Sequence, residues 1–128
     1  MVKRKTPKKI KVKTYKVLNP VYSYALFLRI YGTKEEALSW FDKKFECEQP
    51  AVNNLSAKEG SFIFTPSKRS HLLWFGDIPG GGLAAHEALH SVKHVLEHAG
   101  LGPLNNDTEE AYAYLLDWTV RQIGCKLW

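Results

Sequence analysis

The stretch GLAAHEALHSVKHVLEHA, residues 82–99, decides the fold of this chain. It contains no proline, and its apolar residues recur at helical spacing, so it predicts one long helix. Residues four apart lie one turn above each other on a helix, which places the imidazole rings of His86 and His90 next to each other, with Glu87 beside them. The sequence therefore predicts a helix that carries a group of titratable side chains.

These residues form the pattern H-E-x-x-H over 86–90. At this spacing two imidazole nitrogens can bind one zinc ion, and the glutamate between them lies beside the metal as a general base. Catalytic zinc usually has three protein ligands and one open position for water, so a third ligand is expected elsewhere in the chain. The alternative interpretation is a pair of exposed helix histidines that bind nothing.

A candidate third ligand lies on the last predicted helix, where Glu110-Ala111 follows His90 by 20 positions. An H-E-x-x-H helix followed at about this distance by Glu-Ala on an antiparallel helix resembles the gluzincins, the thermolysin-like zinc peptidases. The resemblance covers residues 74–123 and implies that zinc is bound by His86, His90 and Glu110. The short chain resembles the small uncharacterised proteins of phages and mobile elements that carry a minimal form of this motif.

The resemblance implies an α+β, zincin-like fold. Its parts are a small antiparallel or mixed sheet, one preceding helix, the H-E-x-x-H helix and a C-terminal helix with the third ligand. It also implies a zinc-dependent metallopeptidase that acts on a peptide or protein substrate through metal-activated water, with Glu87 as general base. The strand before the zinc helix is expected to pair with an extended substrate; its residues are His71, Leu72, Leu73, Trp74 and Phe75.

Glu110 competes with Glu109 for the role of third ligand, since only one of the two can face the ion. A structural role is the alternative for both, because Asn106 or Asp107 as N-cap would complete a capping box with the glutamate three positions later. On a helical wheel Glu110 belongs to a polar stripe, which indicates either a lined cleft or plain solvent exposure. The other members of the stripe are Tyr114, Asp117 and Arg121.

The chain departs from the gluzincin pattern around this ligand. Thermolysin-like enzymes have an aspartate four residues after the ligand glutamate, where this chain has Tyr114, and Asp117 is the candidate replacement. The larger enzymes stabilise the oxyanion with His and Tyr residues of a C-terminal domain. The candidates for that role here are His71, His94, Tyr112, Tyr114 and Arg121.

Other metal-hydrolase patterns fit less well. The metzincin positions for the third histidine and the glycine hold Leu96 and Lys93, which excludes that class. Residues 94–98 read as the inverted motif H-x-x-E-H, but its partner glutamate is expected farther downstream. The ligand cysteine of deformylases has no counterpart at Cys47. Hydrolysis of a non-peptide bond stays open, because the ligands do not fix the substrate.

The rest of the chain predicts the scaffold. Residues 10–17 and 22–31 predict strands, and Thr33 with Glu36 forms a capping box before a helix over 34–45. Residues 46–60 show no period and predict a long connection. Residues 61–65 and 70–75 predict a hairpin around the turn 66–69, and the last helix is predicted from Asn106 or Asp107 to about Ile123. On the zinc helix, one apolar face is predicted to point away from His86, Glu87, His90, His94 and His98; it consists of Ala85, Leu89, Val92, Leu96 and Ala99.

Positive charge is concentrated at the N-terminus. The net charge is +5, but eight of the 18 Lys and Arg residues lie in the first 16 positions, so residues 17–128 carry ten basic and 13 acidic groups. We expect a basic tail over 1–9 and a single domain over 10–128. Nonspecific contact of the tail with nucleic acid is the basis of an alternative function, a nucleic-acid-associated or regulatory protein with a structural or vestigial zinc site. Neither a membrane span nor a secretory signal is evident, which predicts a cytoplasmic protein.

Overall fold

The computed structural model describes residues 11–45, 52–53, 60–65 and 69–128. These ranges form an α+β fold, as predicted, with five strands and three helices. The strands are β1 (Lys13–Leu18), β2 (Ala25–Ile30), β3 (Val52–Asn53), β4 (Gly60–Thr65) and β5 (Ser70–Phe75), and the helices are α1 (Lys34–Phe45), α2 (Gly81–His98) and α3 (Glu109–Leu127). The predicted tail over 1–9, most of the connection over 46–60 and most of the turn over 66–69 lie outside the described residues.

The strands form one mixed sheet in the order β1-β2-β5-β4-β3. The two central strands, β2 and β5, are parallel, and all other neighbours are antiparallel. The predicted hairpin is confirmed as β4 and β5. The prediction that residues 46–60 contain no strand is wrong for β3, which pairs Val52 with Phe64. A strand of two residues is too short to show alternation in a sequence.

Side chains alternate between the two faces of the sheet and build two cores. On one face, α1 covers Phe27 and Trp74 of the central strands. On the other face, α2 and α3 cover a larger apolar cluster that includes Leu28 and Phe75. Helices on both faces explain why the central strands are almost wholly apolar rather than alternating with polar residues.

Helix α1 begins and ends where the sequence predicts. The backbone N–H of Glu36 donates a hydrogen bond of 3.1 Å to Oγ1 of Thr33, which confirms the predicted cap. The cap satisfies one of the donors that the first turn of a helix leaves unpaired. This places α1 directly after β2 at one end of the sheet.

Helix α2 is confirmed to within one residue, but its predicted apolar face is only partly correct. Val92 and Leu96 are buried as predicted, and the other three residues are exposed. Leu89 is 51% exposed and Ala85 is exposed, whereas Glu87 is fully buried. The helix packs against the sheet and against α3 at once. Two packing partners widen the buried arc and turn it toward Glu87. The buried residues are Ala84, Glu87, Ala88, Ser91, Val92, Val95 and Leu96.

Helix α3 starts later than predicted, and neither predicted capping box forms. Its N-cap is Thr108, which makes no side-chain capping bond. Instead, Oδ1 of Asn105 accepts hydrogen bonds from the backbone N–H groups of Asp107 and Thr108, at 2.8 and 3.1 Å. This side chain satisfies the turn before the helix, so the chain becomes helical only at Glu109.

Helices α2 and α3 lie antiparallel, and two hydrogen bonds join their opposite ends. The hydroxyl of Tyr112 donates to the carbonyl of Gly102 at 2.9 Å, and Nε1 of Trp128 donates to the carbonyl of Pro79 at 2.8 Å. The start of α3 therefore lies near the end of α2. In the part of the chain described here, no helix combines the length and apolarity that crossing a membrane requires.

Candidate metal centre

His86 and His90 lie together on the outer side of α2. Their Nε2 atoms are 3.2 Å apart, and the rings meet at 76°. Two nitrogens that bind one zinc ion tetrahedrally, each at about 2.0–2.1 Å, lie about 3.3–3.4 Å apart. His86 is exposed and His90 is half-buried. The pair therefore has nearly the spacing that a shared zinc ion requires, on a surface that solvent can reach.

Glu87 lies between these histidines in sequence, and its carboxylate is buried. The side chain is fully buried, and neither carboxylate oxygen has a hydrogen-bond partner among the described residues. Burial raises the pKa of Glu87, while the positive charges of His86 and Lys34 act in the opposite direction. A buried carboxylate without a partner is costly, so its retention beside two histidines requires an explanation.

Two imidazoles of α2, those of His90 and His94, are held toward their neutral form. Burial lowers the pKa of His90, and the positive charges of His86, His94 and Lys93 lower it further. Burial is also the main cause that lowers the pKa of His94, one turn along the helix. Neutral imidazole is the form that binds metal, because a protonated ring has no free lone pair. His94, a candidate for oxyanion stabilisation, is half-buried in the structure.

The predicted third ligand does not lie beside the pair. Glu110 is exposed and is the second residue of α3, close to the end of α2. Because each helical residue rises about 1.5 Å, His98 lies about 12 Å beyond His90 along the axis. Among the residues with described positions, no three His, Cys, Asp or Glu side chains are grouped so that they could share one ion. Glu110 stays a prediction from the sequence pattern.

The polar stripe of α3 faces solvent. Tyr114 is 40% exposed, and Asp117 forms an exposed ion pair of 2.9 Å with Arg121. Asp117 lies seven residues after Glu110, which brings it about 10 Å closer to the level of the histidines along α3. Tyr112 is buried and its hydroxyl is committed to Gly102, so it is not available to stabilise an oxyanion.

The predicted substrate strand is buried in the centre of the sheet. Every residue of β5, from His71 to Phe75, is buried, and the strand pairs with β2 on one side and β4 on the other. Strand addition needs a free edge with unpaired backbone groups. The prediction that β5 pairs with a substrate is therefore wrong. Since the order of strands depends on pairing between distant segments, local sequence did not indicate it.

The sequence interpretation missed a polar contact beneath α2. Oγ of Ser91 makes a short hydrogen bond with Nδ1 of His71, and both side chains are buried. Burial lowers the pKa of His71 to about 3, so the ring is neutral. The ring of Tyr24 meets the rings of His71 and His98 edge-on, and its centre lies 6.3 and 6.0 Å from theirs. The sequence signal for this contact was Ser91, a polar residue among the apolar residues that recur along α2.

Three comparisons with known proteins found no similar protein. No family model, no curated protein and no solved structure matches the chain.

Proposed function

We propose that the protein is a zinc-dependent metallopeptidase of a zincin-like fold, with His86 and His90 as zinc ligands and Glu87 as general base. The observation that carries the proposal is the 3.2 Å separation of the two Nε2 atoms beside the buried carboxylate of Glu87. The order of elements also supports it, because the zinc helix packs on a sheet and is followed by an antiparallel helix.

Zinc, when bound, would polarise the substrate carbonyl and make the bound water more acidic. The contribution of the chain is a base that can receive a proton. Glu87 takes the proton from the attacking water and delivers it to the amine that leaves when the peptide bond breaks. Because burial raises the pKa of Glu87, its protonated form is less unfavourable than that of an ordinary glutamate. A residue that must hold and then release a proton benefits from this shift.

The third protein ligand is proposed to come from α3. Glu110 is the candidate from the sequence pattern, and Glu109 is its neighbour and competitor. Asp117 enters the comparison because of its position along α3, nearer to the level of the histidines. Carboxylate oxygen is an ordinary zinc ligand, so each of the three has suitable chemistry.

The first test is the zinc content of the purified chain and of single variants, measured by mass spectrometry after zinc is supplied. We expect about one zinc ion per chain, as in a site with three protein ligands. His86→Ala and His90→Ala should lose it, and His98→Ala on the same helix is the matched control that should keep it. Loss in only one of Glu110→Ala, Glu109→Ala and Asp117→Asn identifies the third ligand. A native chain that binds no zinc, or a His86→Ala variant that binds it fully, contradicts the proposed site.

The second test separates catalysis from metal binding. The zinc-loaded chain is incubated with a mixture of peptides, and cleavage is followed by mass spectrometry. Glu87→Gln should keep the zinc and lose activity by about 10²–10⁴-fold, the usual contribution of a general base. Zinc binding without cleavage of any peptide would instead favour a structural zinc site or a different substrate bond.

A further inference from the structure

A group of cations and aromatic rings lies on the face of the sheet that α1 covers, opposite to α2 and α3. We call it the basic aromatic patch, and it consists of Lys16 on β1, Phe27 and Arg29 on β2, and Trp40, Lys44 and Phe45 on α1. Three separate elements thus bring three positive charges to one place. The patch is built by the fold, because its residues span positions 16–45 of the sequence.

The charges of the patch are held over ring faces. Nζ of Lys44 lies 5.5 Å from the ring centre of Phe27 and 5.6 Å from that of Trp40. Cζ of Arg29 lies 5.4 Å from the ring centre of Trp40, and Nζ of Lys16 lies 5.9 Å from that of Phe27. Contact with the negative face of a ring orients a cation without neutralising it. The patch therefore presents positive charge in a fixed arrangement.

Few acidic groups compensate these charges. Burial lowers the pKa of Arg29, and the negative charge of Glu36 acts in the opposite direction. Lys16 and Lys44 are exposed, and neither forms an ion pair with another residue in the described ranges. Two lysines and the half-buried ring of Trp40 therefore stay accessible from solvent.

The patch adjoins the most basic part of the sequence. β1 is an outermost strand of the sheet, and it begins at Lys13. Directly before and at this point the sequence carries seven cations, namely Lys3, Arg4, Lys5, Lys8, Lys9, Lys11 and Lys13. Residues 17–128 as a whole carry more acidic than basic groups, so the positive charge of the chain is concentrated in this part of the sequence.

We propose that the basic aromatic patch binds the phosphate backbone of a nucleic acid. Phosphates repeat at short intervals along a strand, so a group of lysines and an arginine can contact several at once and release counterions. The partly exposed ring of Trp40 beside these charges favours nucleic acid over an acidic protein, because a base can stack on a ring and a carboxylate side chain does not. The site is distinct from the zinc helix, since the sheet separates the two.

The test measures binding of the full chain to a fluorescent single-stranded DNA of about 20 nucleotides by anisotropy, at salt concentrations from about 50 to 200 mM. The variant K16E/K44E reverses two charges of the patch. The control K93E/K126E makes the same change in net charge on exposed residues of α2 and α3. Losing two phosphate contacts should make the slope of log affinity against log salt less steep by about 1.4. This corresponds to a loss of affinity of about 25-fold at 0.1 M salt. The control should lose much less.

Three outcomes would overturn the proposal. They are an absence of binding by the native chain at low salt, equal losses in the two double variants, and competition by polyglutamate as effective as that by unlabelled DNA at equal charge. K16R/K44R should bind like the native chain, and K16Q/K44Q replaces the glutamate variant if thermal unfolding shows that the latter does not fold. If the same variants also lose affinity for a DNA duplex of equal length, that result supports recognition of phosphates as well. Removal of zinc with a chelator should leave binding unchanged.

Discussion

Ser91 on α2 is hydrogen-bonded to His71 on β5, and this contact joins α2 to the centre of the sheet. Ser91 directly follows His90 and lies one turn after Glu87, so the contact fixes the part of α2 that carries the proposed site. Both partners are buried, and each would lose its polar partner if the other were removed. The contact leads to two predictions about stability.

Ser91→Ala should lower the free energy of unfolding by about 1–3 kcal/mol, because it leaves Nδ1 of His71 buried without a partner. Urea denaturation of the zinc-free chain measures this change. The control is Ser39→Ala, an exposed serine of α1 whose replacement should have little effect. An equal effect of the two substitutions would show that the Ser91 contact contributes nothing specific.

The chain should lose stability in acid because of His71. Its pKa is about 3 in the folded chain and 6.5 as the ordinary value, so between these limits the unfolded chain binds a proton that the folded chain does not. Stability contributed by the neutral ring is complete above pH 6.5 and decreases as the pH falls toward 3. At pH 4 the loss is about 3 kcal/mol, at about 1.4 kcal/mol per pKa unit.

Measuring the urea midpoint at several pH values tests this prediction. The double variant His71→Leu/Ser91→Ala removes both polar partners together and should unfold with a much weaker dependence on pH between 4 and 6.5. His98→Gln is the control that removes an exposed histidine and should keep the dependence. If the double variant is as sensitive to acid as the native chain, another group is responsible.

Glu87→Gln should stabilise the zinc-free chain at pH 8. A buried carboxylate without hydrogen-bond partners opposes folding, and a neutral amide of the same shape is less costly to bury. We expect an increase in the free energy of unfolding on the order of 1 kcal/mol, which thermal unfolding detects. Glu97→Gln changes an exposed glutamate of the same helix and serves as control. A less stable Glu87→Gln variant would indicate that the carboxylate has partners in solution.

Gly124→Ala should destabilise α3 although alanine favours helices. A Cβ at this position would lie 2.9 Å from Cε3 of Trp128, so the indole ring must move and its hydrogen bond to the carbonyl of Pro79 is put at risk. In the background of Trp128→Ala the same substitution should become stabilising, by about 1 kcal/mol. A double-mutant cycle measured by urea denaturation decides the sign. Destabilisation in both backgrounds would mean that the ring is not the cause.

The sequence predicted best those elements whose signals lie within one short segment. Helix α1 was predicted to the residue, because Thr33 and Glu36 mark its start by a contact within one turn. Helix α2 and the hairpin of β4 and β5 also depend on periodicity within one segment. The predicted start of α3 was wrong for a local reason as well. The side chain of Asn105 competes with the predicted N-caps, and the spacing of the residues does not show which of them forms.

The candidate site was predictable only where it lies on one helix. The closeness of His86 and His90 follows from helical geometry alone, and the structure has it. The burial of Glu87 and the central position of β5 depend on how the helix packs and on which strands become neighbours, and both come from segments far apart in sequence. Whether a carboxylate of α3 lies close to the two histidines depends in the same way on the register between two helices.

The parallel pairing of β2 with β5 has a consequence for the order in which the chain folds. Ala25 lies opposite Ser70, so the middle of the sheet joins segments about 45 residues apart, whereas its flanking hairpins are local. Closing so long a loop costs entropy before any contact compensates it, which makes this step the slow one. The meeting of the two halves of the chain should therefore set the folding rate. The histidine pair needs only a turn of α2, and it can form before that meeting takes place.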